Sequence, residues 1–333
     1  MEVRRRTVLQ GIGAATGAAV FGAPALAQAK SKIRVGYLHT LAVDGQMWLA
    51  QHLDAFGKNG IEPEFREFQT GLELFQAMIG GSLDALTTGA VISNFPARGQ
   101  GKMFLANAVE FATAQLWVRE DQGIKSFADL KGKRIATTAG TTAHVFLNTA
   151  LRANGMVASD IELLNQRMPD AVTAFISGAV PAVALWVPFN ITVRSKVPGA
   201  KKLVDASAYY PQAAIMSGWA TTADFHAKNR DTLVRVVKAW SAGNEFLTGK
   251  TDEALETLQK KHYPQVPLAD FKEQYQAQKA FPTAEWRKLY ADGTVTKWLQ
   301  QVTDFFATTG NIANPIPASQ YFDSSIYMDA TKG

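Results

Sequence analysis

Lys131-Gly-Lys-Arg-Ile-Ala-Thr-Thr-Ala-Gly-Thr-Thr-Ala143, with His144 to Leu151 behind it, decides how this chain is read. Arg134 to Thr137 is short and partly β-branched and reads as a strand. Ala139-Gly140 lets the backbone turn with no side chain in the way. Thr141 or Thr142 can cap the helix that follows, and Val145, Phe146, Leu147 and Leu151 give that helix an apolar face. A strand that turns sharply into a helix leaves free backbone N–H groups aimed at one spot, and that spot favours an anion. The same arrangement also occurs as plain α/β structure that binds nothing, so the rest of the chain has to decide.

The 333 residues are enough for about two domains with a large core. Apolar residues make up 47% and charged residues 19%, the balance of an ordinary folded protein. The absence of cysteine excludes disulfides, thiolate metal sites and a cysteine nucleophile. His39, His52, His144, His226 and His262 show no metal-ligand spacing, and there is no Gly-x-Ser-x-Gly and no paired His-Glu helix motif. Neither a metal, a cofactor nor catalysis is expected.

Arg4-Arg5-Arg6-Thr7-Val8-Leu9 opens the chain, followed by a weakly hydrophobic Gly- and Ala-rich run from Gly11 to Ala27. Ala25-Leu26-Ala27 and Ala27-Gln28-Ala29 are small-x-small cleavage patterns. Residues 1–29 therefore read as a twin-arginine signal peptide, which places the mature protein in the periplasm. The formal charge is +5. Removing the segment's three Arg and one Glu leaves a mild +3, and no basic-aromatic stripe points to nucleic acid.

Strands then alternate with helices, as in a mostly parallel sheet covered on both faces. Lys32 to Leu38 reads as a strand, His39 to Gln46 as a loop and Met47 to Phe56 as a helix. Glu62 to Gln69, Leu83 to Leu86, Lys102 to Ala106 and Gln115 to Arg119 read as strands. Leu72 to Ile79 and Ala90 to Ala97 are the helices among them. A second block repeats the rhythm. Its strands are Arg134 to Thr137, Ile161 to Leu164, Ala182 to Trp186, Lys202 to Val204 and Ala213 to Trp219. Its helices begin at Thr142, Pro169 and Pro188. From Thr222 the texture is helical: Asp224 to Leu247, Glu253 to His262, Leu268 to Ala277, Ala284 to Leu289 and Val295 to Thr308. Asn311 to Gly333 reads as an irregular tail.

These residues carry a resemblance. Gly-x-x-x-x-Gln-Ala-Met-x-Gly-Gly-Ser-Leu-Asp, Gly71 to Asp84, resembles the motif leading into the third strand of the periplasmic solute-binding proteins for taurine, alkanesulfonates and nitrate, the NMT1/THI5-like family. Ala128-Asp-Leu-Lys-Gly-Lys-Arg-Ile-Ala136, Thr142-Ala-His144 and Ala184-Leu-Trp-Val-Pro188 continue it in order, most nearly like the taurine-binding component. The resemblance implies a two-lobed α/β fold of the periplasmic-binding-protein type, hinged between lobes. Lobe I would be residues 30–116 plus 220–333 and lobe II residues 117–219. The crossings would lie near Leu116–Arg119 and Gly218–Thr221, with Trp219 packing at the hinge. It implies a monomer that captures a small anion for an ABC permease with a cytoplasmic ATPase.

The site residues follow from the same resemblance, and from the rule that ligands sit at the carboxyl ends of parallel strands. His39, Thr40, Asp44 and Gln46 occupy the loop after the first strand, a ligand-contacting position or simply a surface loop. Thr88, Gly89 and Ala90 open the helix after the third strand. Gly140, Thr141 and Thr142 give the corresponding surface from the second lobe. Two helix starts facing each other would clamp an anion without Arg or Lys. His144 is a ligand contact or a structural hydrogen-bonder, and Trp186 an apolar wall or core. Departures from the taurine pattern also matter. Ala90-Val91 stands where hydroxyls are usual, Ser217-Gly218 where an acid lies near the second crossing, and Val187 where Asp can follow the Trp. With no acid to pair an ammonium, the expected ligand is an anion with an apolar body, an alkyl or aromatic sulfonate or a carboxylate. A ligand-presenting protein for a sensor and a pyrimidine or thiamine-precursor binder are the alternatives.

Overall fold

The computed structural model describes residues 30–310 and 312–332; the expected signal segment, 1–29, lies outside the described residues. The strands are β1 (Ser31–Leu38), β2 (Ile61–Phe68), β3 (Ala85–Thr88), β4 (Lys102–Val109), β5 (Ala114–Arg119), β6 (Arg134–Thr137), β7 (Glu162–Asn165), β8 (Ala182–Trp186), β9 (Ala200–Asp205) and β10 (Met216–Thr221). They form two five-stranded sheets, ordered β2-β1-β3-β10-β4 and β7-β6-β8-β5-β9. In the first sheet β10 runs antiparallel to its neighbours β3 and β4. In the second, β5 runs antiparallel to β8 and β9. Each sheet is thus parallel apart from one reversed strand, and that strand begins where the chain has just crossed from the other sheet.

The helices are α1 (Leu41–His52), α2 (Ala55–Lys58), α3 (Gly71–Ile79), α4 (Val91–Ala97), α5 (Thr142–Ala153), α6 (Met168–Ile176), α7 (Phe189–Lys196), α8 (Ala223–Lys228), α9 (Arg230–Gly249), α10 (Thr251–His262), α11 (Leu268–Gln276), α12 (Thr283–Ala291), α13 (Thr294–Thr309), α14 (Ala318–Tyr321) and α15 (Ser324–Ala330). Each sheet has its own apolar core. Trp219, Trp240 and Trp286 are fully buried in the first, and Phe146, Phe175 and Leu185 in the second. Helix α13 joins the two, because Val302 and Phe306 pack into the second core while Val295 and Leu299 belong to the first.

Several sequence expectations change. Residues 41–46 are the first half of α1, not a loop; Thr40 is its extended N-cap. Asp44 and Gly45 make the stretch look like a loop, but Leu41, Ala42, Val43 and Met47 are all buried, as a helix pinned by tertiary packing requires. The pinning partner is α9. A β-carbon on Gly243 would stand 2.1 Å from the carbonyl oxygen of Gln46, so only glycine lets these two backbones approach this closely. The expected continuation to Phe56 stops at His52, and α2 follows Asp54 at φ 52°.

The crossings also move. Leu116–Arg119 and Gly218–Thr221 lie inside β5 and β10, each hydrogen-bonded on both sides. The chain changes sheets in residues 110–113 and 206–215 instead. Trp219 is core of the first sheet, its ring 6.3 Å from Phe104, rather than hinge. The strand expected over Leu83 to Leu86 runs Ala85–Thr88, so Thr88 ends β3 rather than opening the next helix. The long helix expected from Asp224 is two, α8 and α9, broken at Asn229 (φ −128°, ψ 32°). The tail is not irregular. Ile326 and Tyr327 of α15 enter the first core, and Asp323 caps α15 by accepting from Ser325 N–H.

Candidate functional site

Thr142, the first residue of α5, reaches across the gap between the sheets. Its hydroxyl accepts from the backbone N–H of Ala90 at 3.0 Å, the residue that caps α4. Gly140, at φ +77°, makes the turn that presents it, as its sequence position suggests. Thr141 is the N-cap of α5, but its hydroxyl donates to Thr138 O at 2.7 Å, which leaves Thr142 free to cross. Beside this contact lies a cavity of about 30 Å³ lined by both lobes. The first lobe contributes Leu38, Thr40, Ala42, Val43, Gly71, Gly89 and Val91, and the second Thr141, Thr142, Trp186 and Val187. Glu110 and Thr113, in the first crossing, complete the wall. The starts of α1, α3, α4 and α5 therefore all border one small space, and their first-turn N–H groups and dipoles favour negative charge there.

Of the residues expected at the site, Thr40, Gly89, Thr141, Thr142 and Trp186 line the cavity, and Ala90 borders it through its N–H. The others are elsewhere. His39 stacks on Tyr263 at 4.3 Å and its Nε2 bonds to His262 O at 2.9 Å. Asp44 is buried inside the first lobe, where it accepts from the hydroxyl of Tyr263 and, at 3.0 Å, from Trp48 Nε1. Burial raises the Asp44 carboxyl well above its ordinary value, against the pull of those two donors. Gln46 donates to Asn107 O at 3.2 Å. Thr88 is buried at the end of β3, against Gly71. Asp44 and Gln46 are displaced because α1 begins six residues early and turns its polar side chains toward Tyr263, after α10, and toward β4. Gly140 and His144 shape the turn instead of facing the cavity. The Gly140 N–H donates to His144 Nδ1 at 3.1 Å, and burial lowers the pKa of His144, so the ring is a neutral acceptor.

Glu110 was not anticipated. Ser217 near the second crossing and Val187 after Trp186 leave both expected positions without an acid. Ser217 in fact bonds to Ala42 O at 3.1 Å within the first lobe. The acid arrives from the first crossing. Glu110 Oε2 accepts from Thr113 Oγ1 at 3.0 Å and Oε1 from Thr142 Oγ1 at 3.3 Å. Burial pushes its pKa up to about 7, only partly offset by those two hydroxyls. The one signal available was an acid set among Ala108, Val109, Phe111 and Ala112, where β4 gives way to the link to β5.

Polar contacts around the rim tie the lobes together. Asn94 Nδ2 donates to Gly140 O at 3.4 Å. Arg167 bonds to Glu73 at 2.9 Å, and Arg194 to Glu273 at 3.0 Å and Asp270 at 3.2 Å. The lobes are closed on each other. Among the described residues no cluster of His, Asp or Glu has metal-binding geometry.

Residues 47–254, more than half of the chain, match the family described as NMT1/THI5 like. The chain belongs to this family. A putative binding protein of Brucella abortus is 28% identical over 290 residues, covering 87% of this chain and 89% of that one. A putative aliphatic sulfonates-binding protein of Bacillus subtilis is 25% identical over 206 residues, 60% of each. Among solved structures, the alkanesulfonate-binding protein SsuA of Xanthomonas axonopodis pv. citri, bound to MOPS, superposes with a TM-score of 0.72 at 19% identity. It covers 89% of this chain and 99% of that one. The two-lobed α/β architecture of this family member is thus the periplasmic-binding-protein fold.

Proposed function

We propose that the chain is the periplasmic solute-binding component of an ABC importer, exported by the twin-arginine route. It would capture a small organic anion between its lobes and deliver it, as a monomer, to a membrane permease driven by a cytoplasmic ATPase. It binds its cargo and does not transform it. The lobes would be residues 30–109 with 216–332, and 114–205, hinged at the two crossings. One observation carries this reading: helix starts from both lobes meet at a single small cavity, joined by the 3.0 Å contact between Ala90 N–H and Thr142 Oγ1. Backbone N–H groups and helix dipoles there would hold an anion with no Arg or Lys in the wall.

The cargo class we favour is a sulfonate or carboxylate. The closed cavity, about 30 Å³, has room for a head group of a few atoms, since a water needs roughly 10–15 Å³. Leu38, Val43, Val91, Trp186 and Val187 make much of its wall apolar, against which a short alkyl or aromatic body would pack with the lobes slightly further apart. The relative named as a putative aliphatic sulfonates-binding protein and the alkanesulfonate-binding SsuA structure bound to MOPS support that choice. Presentation of the ligand to a sensor, or binding of a pyrimidine, are the competing outcomes. The test is a thermal-shift screen of residues 30–333 against sulfonates, nitrate, carboxylates and pyrimidines. A ligand specific to the native state adds about 2.7 kcal/mol at a hundred times its dissociation constant. A shift with sulfonates or carboxylates is expected. A shift confined to pyrimidines would replace the anion reading.

A further inference from the structure

A clamp for anions should not contain a buried carboxylate, yet Glu110 is 5% exposed and shares its cavity with the starts of four helices. Its two oxygens meet only the hydroxyls of Thr113 and Thr142, and its N–H donates to Ile215 O at 2.8 Å. Among the described residues no charged group faces it from any element packed against it. The β3–α4 turn offers Gly89 and Ala90. Helix α5 offers Thr142, while His144, further along, is turned to Gly140 and to the ring of Phe305. The ammonium of Lys279, after α11, lies over the rings of Phe111 and Tyr210, at 4.2 and 5.4 Å. On α1, Asp44 is turned to Tyr263 and Trp48.

An isolated buried charge is unfavourable, and a second negative charge beside it more so. We propose that Glu110 is the specificity-determining residue of the cleft: the closed cavity admits an anionic head group only together with one positive equivalent. That equivalent is a proton taken up by Glu110 or an ammonium carried on the ligand. The inference rests on the anion reading above. With a simple anion, the carboxylate gains a proton at Oε1 and donates it in a hydrogen bond to the ligand's oxygen. With an aminosulfonate, the ammonium donates to the ionised carboxylate and no proton is taken up. The raised pKa of Glu110, about 7, sets the range in which the two cases separate.

The experiment is isothermal titration of residues 30–333 with 1-propanesulfonate and with 3-aminopropanesulfonate, from pH 5.5 to 8.5, at each pH in two buffers of different ionisation enthalpy. For 1-propanesulfonate, uptake approaching one proton per ligand is expected at pH 8. Its affinity should fall up to tenfold per pH unit above 7, roughly thirtyfold by pH 8.5. The aminosulfonate should bind with no proton uptake at pH 8, and below pH 7 should release a proton on binding, its affinity falling up to about tenfold per pH unit as the pH drops. Glu110→Gln, which mimics the protonated acid, should hold 1-propanesulfonate with pH-independent affinity and lose the aminosulfonate. The proton count on the unaltered protein decides the matter even where that variant does not fold. Binding of 1-propanesulfonate without proton uptake, or equal uptake with both ligands, overturns the assignment of Glu110 and leaves the anion reading in place. No binding of either ligand at any pH removes the sulfonate reading and this inference with it.

Discussion

Glu110 Oε1, in the first crossing, lies against Gly89 at the cavity wall: a β-carbon on Gly89 would stand 2.3 Å from that oxygen, and 2.5 Å from the hydroxyl of Thr142 across the cleft. Gly89 is not in the left-handed region, so alanine is permitted by its backbone. The obstacle is these two side chains. Glu110 is held by Thr113 and cannot swing into solvent, and Thr142 is already tied to Ala90 N–H. Gly89→Ala should therefore leave each lobe folded and keep the lobes from closing. We expect a melting temperature within about 2 °C of the original protein, since the change touches no core contact. The affinity for 1-propanesulfonate should fall by at least roughly tenfold, the equivalent of 1.4 kcal/mol. Unchanged affinity in a titration would mean that the observed closure is not the bound geometry.

The same carboxyl makes the empty protein's stability depend on pH. The folded-state pKa of Glu110, about 7, lies above its ordinary value of 4.5. A raised acid binds its proton more tightly folded than unfolded. Its contribution is fully present below about pH 4.5 and is lost as pH rises to 7 and beyond. The difference corresponds to roughly 3 kcal/mol at 1.36 kcal/mol per pKa unit. Replacement by glutamine removes this dependence. Urea unfolding of both proteins at pH 5 and pH 8 should show Glu110→Gln gaining on the original by about that amount between the two. A gap that stays constant between the two pH values would show that Glu110 is ionised throughout.

Periodic and punctuated stretches were legible in the sequence, and their failures share a physical cause. The strands Arg134–Thr137 and Ala182–Trp186 and the helix from Thr142 sit where the sequence puts them, because their apolar spacing and turn residues agree. Helix α1 was missed at its start because local signals there point the other way. Asp44 and Gly45 suggest a loop, and only the contact with Gly243, some 200 residues away in sequence, rewards a helix. The half of the site built on α5 and on the β3–α4 turn was readable from Gly140, Thr142 and Gly89. Glu110 was not, because its role depends on which strand belongs to which sheet. Moving the crossing from Leu116–Arg119 to residues 110–113 turns an anonymous strand-end acid into part of the cavity wall.

Asp44 tests the correction of the first loop. Its carboxylate is buried, accepts from Tyr263 and Trp48, and lies away from the cavity. The ring of Tyr263 packs on His39 and on Phe271, with centroids at 4.3 and 4.8 Å. Tyr263→Phe keeps that packing and deletes one donor to a buried acceptor. The expected cost is about 1–3 kcal/mol of stability, with ligand affinity unchanged within about twofold. A large loss of affinity with little loss of stability would return Asp44 to the binding site.

The ion pairs at the rim give a reading of closure that leaves the cavity untouched. Arg194 on α7 meets Asp270 and Glu273 on α11, and Arg167 before α6 meets Glu73 on α3. Every one of these pairs joins the two lobes, so each exists only when they are closed. All are partly exposed, and such pairs contribute about 0–1 kcal/mol each. Arg194→Ala and Arg167→Ala should each weaken binding of 1-propanesulfonate by at most about fivefold. The two effects should add, because the pairs share no partner. Thermal stability of the unliganded protein should hardly move. At 1 M salt the Debye length falls to about 3 Å, and the affinity gap between the variants and the original should close. A gap that survives high salt would mean that these arginines act through packing rather than charge, and that electrostatic latching contributes nothing to holding the lobes together.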